Sequence, residues 1–102
     1  MSSTNNENRG TPRFFVTYSG VKLPFNLVSE LQEQEVQNRN TYFIGYFDGQ
    51  DRLSGFDKLA YGDIELKHRY TYHANGRLSS AEITDIDGAV TMVVFDADGK
   101  PA

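Results

Sequence analysis

The sequence predicts an α+β domain: an antiparallel meander of five to seven strands with one helix packed on one face. Three observations predict it. From Thr41 onward, short runs of aromatic and β-branched residues alternate with turn residues at roughly ten-residue intervals. No connection between those runs is long enough for the crossover that a parallel pair requires. One phrase occurs three times: aromatic, polar residue, two spacers, turn residue, base, apolar residue. Its copies are "FDGQDRL" (Phe47 to Leu53), "YHANGRL" (Tyr72 to Leu78) and "FDADGKP" (Phe95 to Pro101), and each has the form of a hairpin loop.

The N-terminal "MSSTNNENRGTP" has no hydrophobic residue after Met1. It cannot bury enough apolar surface to offset the entropy of ordering, so residues 1–11 are expected to be a disordered tail. A single domain is expected over 12–102. "RFFVTYS" follows as a strand ending at Ser19-Gly20. "VKLPFNLV" contains Pro24, which cannot donate to a ladder and marks an edge or short extended piece. The one helix is predicted over 29–38. Ser29 stands as its N-cap, with Gln32 completing a capping box. Glu30 and Glu33 suit the positive end of its dipole, Val28, Leu31 and Val36 form a thin apolar stripe, and Asn38-Arg39-Asn40 stops it.

Five strands are then expected, in "TYFIGYF", "RLSGFDKLAY", "DIELKHRYTYH", "RLSSAEITD" and "AVTMVVF". "HANGR" places Asn75-Gly76 where a three-residue loop needs a type I turn closed by a left-handed residue. "DADGK" does the same with Asp98-Gly99, "DGQDR" gives the left-handed position to Asp51, and Asp87-Gly88 offers another such turn. "AYGDI" offers a two-residue turn, Gly62-Asp63.

The chain has 102 residues, a length for one domain with an adequate but not large core. It has no cysteine, which excludes a disulfide framework, a zinc-thiolate site and a cysteine nucleophile. A net charge of −4 with scattered bases argues against nucleic acid. No apolar run reaches the roughly 18 residues of a membrane span, and no signal peptide is present, so no membrane association and a cytoplasmic location are expected. No cofactor is implied: there is no phosphate loop, zinc-protease motif or serine elbow. Asp85-Ile-Asp-Gly and Asp96-Ala-Asp-Gly lack the third acid and closing Glu of a calcium loop and read as turns.

The clearest chemistry sits on Asp63 to His73. Ile64, Leu66, His68, Tyr70 and Tyr72 alternate with Glu65, Lys67, Arg69, Thr71 and His73, so one face is apolar except for His68. The Gly62-Asp63 turn pairs Leu59 with Leu66, Asp57 with His68 and Gly55 with Tyr70. A carboxylate facing the imidazole would raise its pKa. In the next hairpin, a bulged loop pairs Tyr72 with Leu78 and His68 with Glu82. A plain Asn75-Gly76 turn instead pairs His68 with Ile83 and Arg69 with Glu82. The non-glycine Ala74 and the parallel phrase "DADGK" favour the first. The candidate ligand-binding residues are therefore His68, Asp57, Glu82, Tyr70 and Tyr72. The bland reading of His68 is a structural histidine, and His73 reads as a solvated turn residue.

"YTYHANGRLSSAEITDIDGAVTMVVFDADGK" resembles the YD repeat of bacterial Rhs-type proteins, although His73 stands where those repeats carry Asp. "TYSGVKLPFNLV", "NRNTYFIGYFD" and "YGDIELKHRYTYHANGRL" resemble a family of small bacterial proteins of unknown function. That resemblance implies a bacterial origin and a stand-alone α+β unit, and it carries no activity. Since no catalytic constellation is specified and the aromatic excess suits a contact surface, the expected function is a non-catalytic binding or protein-interaction module. The alternative is a small-ligand-binding protein or minor enzyme built on His68, Asp57 and Glu82. The partner is accordingly a protein or a small molecule. An open cavity beside His68 would favour the alternative, and a sealed core there the module.

Overall fold

Each aromatic or β-branched run becomes a strand. The computed structural model describes residues 12–20 and 22–102. The expected tail, 1–11, lies outside them. The elements are β1 (Arg13–Ser19), β2 (Asn26–Leu31), α1 (Glu33–Val36), β3 (Thr41–Phe47), β4 (Leu53–Ala60), β5 (Asp63–Tyr72), β6 (Leu78–Thr84) and β7 (Val90–Val94). The strands form one seven-stranded sheet in the order β2-β1-β3-β4-β5-β6-β7. Every pairing in it is antiparallel.

One loop is built four times, three of them by the repeated phrase. In residues 48–52, 73–77, 85–89 and 96–100, the first residue's N–H donates to the carbonyl four positions on, at 2.7–3.0 Å. Its carbonyl in turn accepts from the N–H three positions on. That fourth residue is left-handed: Asp51 at φ 63, Gly76 at 89, Gly88 at 85 and Gly99 at 88. Where the first residue is Asp, its Oδ1 accepts two backbone N–H groups of the same loop, as Asp96 does from Asp98 and Lys100. An aspartate side chain thus supplies part of the turn's wiring. At His73 this changes, and Asn75 Oδ1 accepts Arg77 N–H instead. The imidazole of His73 is left to bond elsewhere: its Nε2 lies 3.0 Å from the Phe95 carbonyl.

The helix is a correction. It spans four residues, has no buried side chain, and so does not form a layer on the sheet. Asn26–Leu31, which includes the expected helix start, is the edge strand β2, and Ser29 sits in it at φ 63. The apolar stripe of Val28 and Leu31 is used on a ladder with β1, which pairs Thr17 with Val28 and Phe14 with Leu31. Backbone hydrogen bonds to a neighbouring strand outweigh a local helical preference in so short a segment. The cap moves three residues on. Gln32 N–H donates to Glu35 Oε1 at 2.8 Å, and Gln32 O accepts Glu35 N–H at 2.9 Å.

One face of the sheet carries the core. Phe15, Phe43, Phe56, Tyr70, Leu78 and Ala81 are buried there. Gly45 makes room among them: a Cβ at that position would stand 2.5 Å from Leu27 Cδ1 and 3.2 Å from the rings of Phe15 and Phe47. In place of a helix, the β1–β2 loop covers this face. It sets Phe25 in stacking contact with Tyr18, ring centres 4.6 Å apart, and against Phe56 and His68. The far edge strand, β7, leaves Val90, Met92 and Val94 exposed.

Candidate functional site

The row predicted across β4, β5 and β6 divides between the two faces of the sheet. The turn uses Tyr61 and Gly62, both at positive φ, so Ala60 pairs with Asp63. Mirror-type hairpin turns need that conformation at both central residues, which places glycine second. Beyond it Leu59 pairs with Ile64 and Lys58 with Leu66, which leaves Glu65 as a bulge. Phe56 therefore faces His68, and Asp57 faces Lys67. The predicted Asp57–His68 and Gly55–Tyr70 pairs do not form, because a slip of one residue transfers a side chain to the opposite face. In the next hairpin Tyr72 pairs with Leu78, as the bulged loop requires. A second bulge at Ser79 then shifts the register, so His68 meets Ile83 and Arg69 meets Glu82. Glu82 is exposed and stands on the face away from His68.

His68 is sealed. It is 3% exposed. Its ring stacks on Phe56 with centres 4.4 Å apart and lies 5.2 Å from Phe25. Its Nδ1 is 2.7 Å from the Tyr70 hydroxyl. That hydroxyl oxygen accepts the Phe25 N–H at 3.4 Å. Which of the hydroxyl and Nδ1 donates follows from the imidazole tautomer, and either way the contact ties His68 to Tyr70. Burial, and secondarily the charge of Arg69, lowers the His68 pKa to about 4. The expected rise is thus reversed: the carboxylate meant to cause it is on the other face, and desolvation disfavours the imidazolium. Burial likewise raises the Tyr70 phenol above its ordinary value. His68, Tyr70 and Phe25 form a neutral aromatic cluster that pins the β1–β2 loop to the sheet.

Asp57 belongs to a separate cluster on the opposite face. Its Oδ2 accepts the Tyr46 hydroxyl at 2.9 Å. Its Oδ1 lies 2.9 Å from Arg69 Nη2, an ion pair without the alignment of a hydrogen bond. Arg69 also donates to the carbonyls of His68 at 2.8 Å and Phe56 at 3.2 Å. It crosses Gly55, where a Cβ would come within 2.5 Å of the His68 carbonyl oxygen and 3.0 Å of Arg69 Cδ. So the glycine is covered by Arg69 where Tyr70 was expected. The arrangement ties β3, β4 and β5 together.

The accessible concavity is elsewhere, on the core face at the end of the sheet. A cleft of about 610 Å³ opens between the β1–β2 loop, the 73–77 loop and the 95–101 hairpin. Leu23, Pro24, Tyr72, Leu78, Phe95 and Pro101 give it apolar walls. Lys22 and Arg77 stand on its lining. A second hollow of about 440 Å³ shares Pro24, Tyr72 and Gly76 with it and adds Arg13, Arg52 and Asp51. The guanidinium of Arg52 lies 4.6 Å from the centre of the Tyr72 ring. Burial raises the Tyr72 phenol above its ordinary value, opposed by Arg52 and helped by Asp48.

One wall of the cleft is held by three side chains of the 73–77 loop. His73 contacts the Phe95 carbonyl, Asn75 Nδ2 donates to the Ala97 carbonyl at 2.9 Å, and Arg77 Nη1 donates to the Asp98 carbonyl at 3.2 Å. These bonds dock the last hairpin against the 73–77 loop, so His73 is more than a solvated turn residue. Of the five candidate residues, only Tyr72 borders the cleft; His68, Asp57, Glu82 and Tyr70 do not. Sequence reasoning missed Lys22, Leu23, Arg77 and Phe95. The signal for two cations was present: the repeated phrase carries a base after each turn, and those of its first two copies, Arg52 and Arg77, line the two hollows.

Among the described residues no group of three His, Asp or Glu is placed to hold a metal ion. No helix among them is long and apolar enough to cross a membrane. A profile described as a family of unknown function, DUF6156, matches residues 7–102. No curated protein and no solved structure matches the chain.

Proposed function

The chain belongs to the DUF6156 family of unknown function, and we propose that it is a non-catalytic binding module whose contact surface is the cleft between the β1–β2 loop and the 95–101 hairpin. One observation carries the reading: the buried histidine and the accessible cavity are apart. His68 is closed in by Phe25, Phe56 and Tyr70 and held neutral, which suits a structural histidine. Among the described residues the cleft has no carboxylate, imidazole or serine on its lining. Its ionisable side chains are Lys22, Arg77 and Tyr72, with no carboxylate or imidazole beside them to complete the commonest acid–base pairs. Its size and its apolar walls with few polar groups are those of a ligand site. The bacterial and cytoplasmic setting expected from the sequence, and the kinship of its last third to YD repeats, belong to the same proposal.

The test is a ¹⁵N-labelled protein titrated with a library of neutral, anionic and cationic small molecules. The reading expects saturable amide shifts on Lys22, Tyr72, Gly76 to Leu78 and Phe95, with each ligand recovered unchanged. Shifts concentrated around Asp57 and Arg69, or conversion of a bound compound to product, overturn it.

A further inference from the structure

Among the described residues the larger hollow has two cations and no carboxylate on its lining, in a chain of net charge −4. Among the described residues, the combined linings of the two hollows hold Arg13, Lys22, Arg52 and Arg77 against Asp51. The local sign is thus opposite to that of the whole molecule. The compensation is uneven. Arg13 is paired with Glu30 at 2.7 Å, and Arg52 with Asp48 at 2.9 Å. Arg77 is instead held by a carbonyl, that of Asp98, which orients the guanidinium without neutralising it. Lys22 is exposed on the facing loop. Between these charges lies an apolar floor of Leu23, Leu78 and Phe95, with the Tyr72 ring at the junction of the two hollows.

We propose that the cleft binds a small carboxylate with an apolar body, the carboxylate between Lys22 and Arg77 and the apolar part on Leu23, Leu78 and Phe95. A guanidinium offers a carboxylate a planar fork of donors, and an ammonium adds charge without directional demand. The volume of about 610 Å³ accommodates a ligand of that class. An apolar ligand without charge would leave the two cations unused, and a cation would meet like charge. The inference rests on the cleft being the contact surface, and it adds the chemistry of what the cleft takes.

The experiment compares three probes with one body: 4-phenylbutyrate, 4-phenylbutanol and 4-phenylbutylamine. Each is titrated into the ¹⁵N-labelled full chain up to about 10 mM, above the millimolar affinities of such fragments. The expected result is that 4-phenylbutyrate shifts Lys22, Gly76, Arg77 and Phe95 and binds about fivefold tighter than the alcohol, the upper end for a partly exposed charge pair. The amine is expected to bind weakest. Lys22→Gln and Arg77→Gln should each bring the carboxylate down toward the alcohol while the alcohol's own affinity stays the same. Lys22→Gln serves where Arg77→Gln loosens the hairpin, because Lys22 is an exposed loop residue. Equal binding of all three probes in the cleft overturns the anion preference and leaves the binding module standing. Tightest binding by the amine, or no saturable shift with the carboxylate, overturns the inference outright, and the wider library then decides the module by itself.

Discussion

Acid should unfold this protein through His68. The ring is 3% exposed, and its pKa falls from 6.5 to about 4 on folding. A base whose folded pKa is depressed binds more protons in the unfolded chain. Its neutral form therefore adds full stability above pH 6.5, and that contribution is lost as the pH falls from 6.5 toward 4. At 1.36 kcal/mol per unit, the shift corresponds to about 3 kcal/mol. Domains of this size have roughly 5–15 kcal/mol in all, so the loss is a large share. The perturbation that isolates it is His68→Phe, which keeps a ring on Phe56 and removes the titrating group. The variant loses the Tyr70–imidazole bond, at about 1 kcal/mol. Urea unfolding of both proteins at pH 7.5, 6, 5 and 4 gives the difference directly, since the carboxylates titrate in both. The wild type should lose about 3 kcal/mol more than the variant across that range. The imidazole resonance should titrate with a midpoint near 4. Parallel pH profiles for the two proteins, or a midpoint at or above 6.5, would refute the sealed and neutral histidine.

Three further changes test the frame. Gly45→Ala puts a methyl group 2.5 Å from Leu27 Cδ1 between the rings of Phe15 and Phe47, and it should cost about 1–3 kcal/mol in urea unfolding. A neutral result would mean that the sheet does not close there. Asp51→Gly relieves a left-handed aspartate at φ 63 and removes only an exposed contact of 3.8 Å to Arg13. A gain of about 0.5 kcal/mol is expected, and a loss would mean that the side chain matters more than the backbone. His73→Ala removes the bond to the Phe95 carbonyl and should speed amide exchange in residues 95–102 while leaving β4 unchanged. Unaltered exchange would show that Asn75 and Arg77 hold the hairpin without it.

The meander was legible because its signals are local. Each copy of the loop carries its own aspartate or asparagine and its own left-handed residue, so β3 to β7 follow from turns alone. β2 was half legible: Pro24 marked an edge piece that reaches Val28, but the pairing of Glu30 and Leu31 with β1 depends on a partner outside the segment, while Ser29, Gln32 and Val36 imitate a helix. The register failed for a sharper reason. Placing Gly62 first in its turn, and overlooking bulges at Glu65 and Ser79, moved Asp57 and Glu82 to the wrong face, and the polar row went with them. That Tyr70 and His68 share a face survived, since both lie on β5. The cleft was beyond local reasoning: it collects residues from the twenties, the seventies and the nineties, and only the last two groups share the repeated phrase.

The strand order also fixes how the chain comes apart. Every pairing from β3 to β7 joins neighbours in sequence, and only β1 with β3 skips an element. Such local pairing favours rapid growth from one hairpin, with little entropy spent on closing long loops. The middle strand is β4, where Phe56 is fully buried. Its amides should exchange last, with protection falling toward β2 on one side and β7 on the other. The cleft lies toward one end of this gradient, so the amides of its 95–101 wall should exchange before those of β5, which supplies Tyr72 to its lining.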